Sequence, residues 1–162
     1  MKVFKIKSHA KINLSLNIIG KKVNLHKIES AICFIDLHDV IYLKQISGKS
    51  HKITFKGKFS KNISKINTVS ILFKLLDKKN FLKDKKFEVV IIKNIPLQGG
   101  MGGGSMNAAS LINFFIKNKI LKLNHNELIK LTSQIGSDVI LGIKPTNTIL
   151  SANGKIKRFN KN

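Results

Sequence analysis

A glycine-rich segment in the middle of the chain is the sequence feature that most constrains the fold. Five of the 11 glycines lie in the run Gly-Gly-Met-Gly-Gly-Gly at residues 99–104. Glycine inside a strand or helix costs roughly 0.5–1 kcal/mol, so this density predicts a loop that needs unusual φ angles or close backbone approach. A strand is predicted before the loop and a helix after it, and the N-terminus of a helix favours a phosphate group. A plain flexible turn is the alternative interpretation.

Two common phosphate-binding patterns do not fit this segment. A P-loop ends in Gly-Lys-Ser/Thr, and no lysine follows these glycines. The dinucleotide-binding pattern would need a third glycine where Ser105 stands, and no acidic residue follows at the spacing expected for a ribose contact. The segment therefore predicts a phosphate loop of another kind.

The charge of the chain limits the classes of partner. Its 162 residues include 30 Lys+Arg and 8 Asp+Glu, which gives a net charge of +22. Nucleic acid, an anionic membrane or a phosphorylated substrate would each suit this charge. Arg158 is the sole arginine and the lysines are spread along the whole chain, which favours a compositional bias over a dedicated nucleic-acid surface. The charge therefore does not by itself indicate a nucleic-acid partner.

The cysteine content and the apolar runs indicate the compartment. Cys33 is the one cysteine, which excludes a disulfide within the chain and any zinc site built from cysteines. No apolar run reaches the roughly 20 residues that cross a bilayer. We therefore expect a cytoplasmic location and no membrane partner.

Hydrophobic periodicity predicts one α+β domain over residues 1–162. Alternating patterns predict strands at residues 3–7, 11–19, 28–35, 40–45, 51–59 and 87–93, with the polar residues 36–39 separating two of them. Helical spacing predicts helices at about residues 67–76, 105–119 and 126–135, with Asn67 or Thr68 and Asn124 as N-caps. The tail at residues 146–159 predicts a strand, a turn and another strand. Strands followed by mixed strands and helices favour α+β over an alternating parallel sheet.

Five motifs in order along the chain resemble the GHMP kinase superfamily. Gly-Met-Gly-Gly-Gly-Ser-Met-Asn-Ala-Ala at residues 100–109 is similar to the phosphate loop of the kinases that act on 4-diphosphocytidyl-2-C-methyl-D-erythritol. His-Ala-Lys-Ile-Asn-Leu at residues 9–14 matches a Pro-Ala-Lys-Ile-Asn-Leu motif, with His9 at the position of the proline. Residues 24–30, 66–69 and 136–140 match three further motifs of these kinases, with Leu25 in place of a tyrosine.

The resemblance implies a fold, a reaction and a set of cofactors. The implied fold is the GHMP kinase N-terminal domain, with helices packed on a mixed or antiparallel sheet. The implied reaction moves the γ-phosphoryl of ATP to the 2-hydroxyl of 4-diphosphocytidyl-2-C-methyl-D-erythritol, in the non-mevalonate isoprenoid pathway. Mg²⁺ is expected to arrive with ATP, and no metal site built from protein ligands is expected.

The resemblance also implies the site residues. Asp138 is implied as the catalytic base with Lys11 beside it, and Asn13 and His26 as substrate-binding residues. The implied ATP-binding residues are Asn67 and the loop residues Pro96, Leu97, Gln98, Gly99, Gly100, Met101, Gly102, Gly103, Gly104, Ser105 and Met106.

The residue types alone leave simpler interpretations open. Asp138 could be a helix cap, Lys11 one surface lysine among many, Asn13 a cap at a strand edge and Asn67 a helix cap. Lys93, just before the loop, could contact phosphate or lie in solvent.

The kinases of this family are longer and carry a second, C-terminal domain that we do not find here. The chain could therefore be a fragment, a split gene product or a decayed copy. We expect a kinase. The alternatives are a half-enzyme that depends on a partner chain for the second domain and a non-catalytic ATP-binding remnant. A basic nucleic-acid-binding protein is the third hypothesis.

Overall fold

A computed structural model describes residues 2–22, 25–151, 153 and 155–159, with the side chains of residues 21, 22 and 25–28 left out. The chain forms a mixed sheet with helices packed on it, so the predicted α+β class is confirmed. The strands are β1 (Val3–Lys22), β2 (Leu25–Ile46), β3 (Lys52–Lys56), β4 (Lys86–Ile92), β5 (Asn147–Leu150) and β6 (Ile156–Phe159). The helices are α1 (Thr68–Lys78), α2 (Gly103–Lys117), α3 (His125–Ile135) and α4 (Val139–Ile143).

The long strand β2 organises the sheet. It pairs antiparallel with β1 along its length, with β4 through residues 40–46 and with β5 through residues 30–32. Strand β3 pairs parallel with β4, and β6 pairs antiparallel with β5. The sheet is therefore mixed, as predicted, and β1 and β2 form an arm that presents residues 9–14 beside the start of α2.

The prediction that polar residues 36–39 divide β2 is wrong. The strand continues through them because Asp39 is buried and hydrogen-bonded, whereas Asp36 points into solvent. The polar residues in this stretch therefore do not mark a turn. Asp39 belongs to a buried group of polar side chains, and Asp36 is an exposed residue of the strand. The predicted break between residues 7 and 11 of β1 is likewise absent, and a register shift between His9 and Lys11 takes its place.

Helices α1, α2 and α3 cover the sheet and enclose the core. The apolar positions of β4 alternate between buried and half-buried, as expected for a strand with one face under helices. The core side chains that the two layers share include Ile41, Val89, Leu72, Leu111 and Phe115. The predicted N-caps Asn67 and Asn124 are both present, each in a capping box.

None of the helices in the described part of the chain is long and apolar enough to cross a membrane.

Candidate functional site

Lys11 and Asp138 form an ion pair at the start of α4. The Nζ of Lys11 lies 3.1 Å from Oδ2 of Asp138, with the lysine side chain 7% and the aspartate side chain 36% exposed. Lys11 Nζ also donates to Oδ1 of Asn13 at 3.4 Å. Asp138 is the N-cap residue of α4, but its side chain makes no capping hydrogen bond. Its carboxylate is therefore directed to the lysine and to solvent rather than to the helix.

Close packing of α4 on α2 holds Asp138 in place. A Cβ on Gly142 would lie 2.6 Å from Cβ of Ala109 and 2.9 Å from Sδ of Met106. Asn113 on α2 donates to the carbonyl of Gly142 at 2.9 Å. Glycine at position 142 thus lets the short helix approach α2, and Asp138, the residue before the first residue of α4, lies beside Lys11 on β1.

The glycine-rich loop lies directly on the Lys11 side chain. The backbone N–H of Lys11 donates to the carbonyl of Met101 at 3.0 Å. Gly102 has φ +67°, and a Cβ there would lie 3.0 Å from Cγ of Lys11. A residue with a side chain would meet both backbone strain and crowding at this position. The loop and the ion pair are therefore one structural unit.

Helix α2 begins two residues earlier than predicted, at Gly103 rather than Ser105. Crowding favours glycine at both of these helical positions: a Cβ on Gly103 would lie 3.1 Å from Ile95 Cγ2, and one on Gly104 would lie 3.2 Å from Thr68 Oγ1. Gly102 provides no side-chain cap for the helix. The N–H groups of the first turn are consequently left for water or an anion.

A buried polar cluster, formed by Asp39, Lys93 and Asn107, lies at both ends of the glycine-rich loop. Asp39 is fully buried; its Oδ1 accepts from the backbone N–H groups of Asn94, at 2.8 Å, and Ile95, at 2.9 Å. Its Oδ2 accepts from Lys93 Nζ and, at 2.9 Å, from Asn107 Nδ2. Lys93 is itself buried, so the interpretation that it lies in solvent is wrong, and its contact with phosphate stays a prediction.

A cavity of about 240 Å³ opens beside the loop. Its walls are largely apolar, with Phe55, Ile63 and Leu97 among the lining residues. Asn67 and Asn107 supply polar groups, and the buried Oδ1 of Asn107 has no hydrogen-bond partner. An apolar slot with a few polar groups next to a loop of free N–H groups suits a flat base attached to phosphates.

The structure brings most of the predicted site residues together. Lys11 contacts both Asn13 and Asp138, the loop lies against Lys11, and Asn67 caps α1 at the neighbouring cavity. His26 lies on β2, but its side chain is outside the described residues. The sequence did not identify Asp39 as a residue of this site, because the polar stretch at residues 36–39 indicated a loop between two strands.

These features define an α+β domain in which a glycine-rich loop opens a helix beside a lysine–aspartate pair. A family model described as the GHMP kinases N terminal domain matches residues 67–154. The chain belongs to the GHMP kinase family, which confirms the resemblance seen in the motifs.

Two curated relatives show which kinases of this family the chain is similar to. The chain is 62% identical over 159 residues to a 4-diphosphocytidyl-2-C-methyl-D-erythritol kinase of Pelagibacter ubique, covering 98% of this chain and 57% of the relative. It is 33% identical over 160 residues to the kinase of the same name from Petrotoga mobilis, covering 95% of this chain and 58% of the relative. The chain therefore spans somewhat more than half the length of these relatives.

The fold is also that of a solved kinase. A crystal structure of 4-(cytidine 5'-diphospho)-2C-methyl-D-erythritol kinase superposes with a TM-score of 0.74 at 19% identity. The match covers 96% of this chain and 55% of the other. At this identity the match shows the fold, and it confirms the predicted N-terminal-domain architecture.

Proposed function

We propose that this domain binds ATP and carries the reacting groups of a 4-diphosphocytidyl-2-C-methyl-D-erythritol kinase. The observation that carries the proposal is the Lys11–Asp138 pair, 3.1 Å apart, directly beneath a loop of glycines that opens α2. Phosphoryl transfer needs positioned phosphates, a cation near the developing charge and a group that orients the attacking hydroxyl. The pair and the loop supply all three.

The loop and the adjacent cavity account for the nucleotide. The phosphates would lie against the N–H groups of Met101 to Ser105 at the start of α2, where the helix dipole also favours them. The base would enter the cavity between Leu97 and Phe55, next to Asn67. The loop residues Pro96, Gln98, Gly99 and Gly100 would then cover the phosphates.

Asp138 would accept the proton of the substrate. The 2-hydroxyl oxygen attacks the γ-phosphorus, the bond to the β–γ bridging oxygen breaks, ADP leaves, and the hydroxyl proton passes to the Asp138 carboxylate. Lys11, held by Asp138 and Asn13, places its ammonium beside the attacking oxygen. Asn13 and His26 remain the proposed contacts to the substrate.

Mg²⁺ would be held by ATP rather than by a protein cage. Two carboxylates lie at the loop within the described residues: Asp39, whose oxygens already accept four hydrogen bonds, and Asp138, which is paired with Lys11. Mg²⁺ commonly keeps several waters and binds substrate phosphates with few protein ligands, which fits this arrangement. The ion would neutralise phosphate charge during transfer.

An ADP-release assay tests the proposal. The purified 162-residue chain is incubated with Mg-ATP, with and without 4-diphosphocytidyl-2-C-methyl-D-erythritol, and ATP binding is measured by calorimetry. We expect substrate-dependent release that Asp138→Asn abolishes while ATP still binds. Asp84→Asn, an exposed acid in the turn before β4, is the matched control and should retain activity.

The alternatives have distinct outcomes. ATP binding without release in the unchanged chain would support a partner-dependent half-enzyme or a non-catalytic remnant. Activity retained in Asp138→Asn would remove the aspartate from its proposed role. Failure of a folded chain to bind ATP would overturn the nucleotide site itself.

A further inference from the structure

Two histidines and an aspartate meet on one face of the β1–β2 ladder, outside the proposed kinase site. His9 on β1 is directly paired with His38 on β2 in the antiparallel register. Asp36 precedes His38 by two residues on the same strand, and residues two apart on a strand share a face. The sequence spacing gave no sign of this group because strand pairing alone brings His9 and His38 together.

The side chains of this group are close enough to share an ion. One potential ligand atom from each of His9, Asp36 and His38 lies within 4.8 Å of the other two. Asp36 Oδ1 is 3.8 Å from Nδ1 of both rings, and the ring centroids are 5.2 Å apart. The ligand atoms of a bound zinc are about 3–3.5 Å apart, given metal–ligand distances near 2 Å. The Asp36 side chain is 92% exposed and can turn to close this gap.

The nitrogens that face Asp36 also lie beside backbone carbonyls. His9 Nδ1 lies 3.2 Å from the carbonyl oxygen of Ile35, and His38 Nδ1 lies 2.5 Å from that of Asp36. Since a carbonyl oxygen only accepts, a cation bound through Nδ1 would replace these contacts and leave the ring hydrogen on Nε2.

Space for further ligands lies next to the group. A cavity of about 550 Å³ is lined by His9 and Asp36 together with Pro145 and Thr146. The buried Oγ1 of Thr146 has no hydrogen-bond partner. Three protein ligands with an adjoining water-accessible cavity allow a fourth position to be taken by water or a small anion.

We propose that His9, Asp36 and His38 form a site for one first-row transition-metal cation such as Zn²⁺. Two imidazoles and one carboxylate suit this class of ion better than Mg²⁺ or Ca²⁺, which prefer oxygen ligands. The bound ion would tie β1 to β2 at the register shift between His9 and Lys11. The site is separate from the proposed phosphoryl transfer, and its test needs no kinase activity.

Calorimetric titration of the 162-residue chain with Zn²⁺ tests the site. We expect one saturable site per chain, with at least a tenfold loss of affinity in His9→Ala, His38→Ala and Asp36→Asn, since even outer partners of a metal site change affinity 10–100-fold. Asp36→Asn changes an exposed side chain, so it keeps the test valid if a histidine variant fails to fold. His125→Ala, at the start of α3, is the control and should bind like the unchanged chain.

Ring NMR signals and thermal unfolding give a second measurement. Zn²⁺ should shift the ring resonances of His9 and His38 and raise the Tm of the unchanged chain, because a ligand that binds the folded state stabilises it. The Tm increase should disappear in Asp36→Asn and persist in His125→Ala. Absence of saturable binding, or equal affinity in Asp36→Asn and the unchanged chain, would overturn the proposal.

Discussion

The ion pair between Lys11 and Asp138 is asymmetric in its exposure to solvent. The lysine side chain is 7% exposed and the aspartate side chain 36%, although Nζ and Oδ2 are 3.1 Å apart. The Lys11 stem is enclosed by Gly102 and its ammonium is held by Asn13 and Asp138. The cation is therefore fixed while the carboxylate remains reachable from outside, as its proposed role as proton acceptor requires.

Replacement of Lys11 by methionine tests how much this fixed cation contributes to turnover. Lys11→Met keeps most of the stem that packs under the loop but removes the charge that we propose lies beside the attacking oxygen. We expect turnover to fall by about 100-fold or more, as for loss of one group that stabilises transition-state charge. Steady-state ADP release measures the effect, with the exposed Lys7→Met as control. Unchanged kcat in Lys11→Met would show that the lysine serves only the fold.

The motifs predicted the family and the grouping of Lys11 with Asp138, because each lies in a short run of characteristic residues. Element boundaries were harder to predict where tertiary contacts override local preference. Gly103 and Gly104 have low helix propensity, yet they form the first turn of α2, where Ile95 and Thr68 leave little room for a side chain. Periodicity cannot reveal such contacts between distant segments.

The polar cluster around Asp39 was unpredictable for a related reason. A buried aspartate inside a strand looks like a turn residue in the sequence, since its partners Lys93 and Asn107 are far along the chain. The same holds for His9 and His38, which only the strand register places side by side. Residues that meet only when the chain folds leave no local pattern in the sequence.

The close approach of the loop to Lys11 predicts a difference between two glycines. Gly100 and Gly102 have nearly the same φ, +68° and +67°, but a Cβ on Gly100 meets nothing within 4 Å. Alanine should cost about 1–2 kcal/mol of backbone strain at either position. Gly102→Ala should cost roughly 1 kcal/mol more, because it crowds the enclosed Lys11 stem. Denaturant unfolding compares the two, and equal losses would mean that Lys11 moves aside freely.

Acid unfolding should reflect the contacts of Asp77. Burial raises the pKa of this carboxyl, but hydrogen bonds from Lys86 and His51 and the attraction of their charges outweigh burial and lower it below 3.8. Lys86 Nζ and His51 Nε2 lie 2.9 and 3.1 Å from Asp77 Oδ1, and His51 Nδ1 accepts from the N–H of Phe87. A carboxyl whose pKa is lower in the folded than in the unfolded state stabilises the fold at pH values above its unfolded-state pKa. This stabilisation is lost as the pH falls through the folded-state pKa.

Asp77→Asn therefore should destabilise the chain near neutral pH and make little difference in strong acid. The carboxylate is 37% exposed, so solvent screening limits the effect to about 0.5 kcal/mol. Urea unfolding at a series of pH values should show the difference from the unchanged chain shrinking below about pH 4. Asp84→Asn serves as the control. A difference that stays constant down to strong acid would contradict the assignment.

Substitutions at Asp39 and Lys93 should have strongly coupled effects on stability, because both side chains of this ion pair are buried. Removing either partner leaves the other as an uncompensated buried charge, so Asp39→Asn and Lys93→Met should each cost about 3–5 kcal/mol. The double variant removes both charges together and should fall well short of the sum, with a coupling of about 1–3 kcal/mol.

Strands β2 and β4 offer an exposed pair for comparison. Lys44 and Glu88 are register partners on β2 and β4, with Nζ and Oε2 3.7 Å apart and both side chains 38% exposed. The Lys44→Met and Glu88→Gln cycle should give a coupling below about 1 kcal/mol. Since Asp39 also fixes the backbone of Asn94 and Ile95, its loss should weaken ATP binding, whereas the exposed cycle should leave it unchanged. Equal coupling in the two cycles would mean that water reaches the Asp39 cluster and that it does not set the ends of the loop.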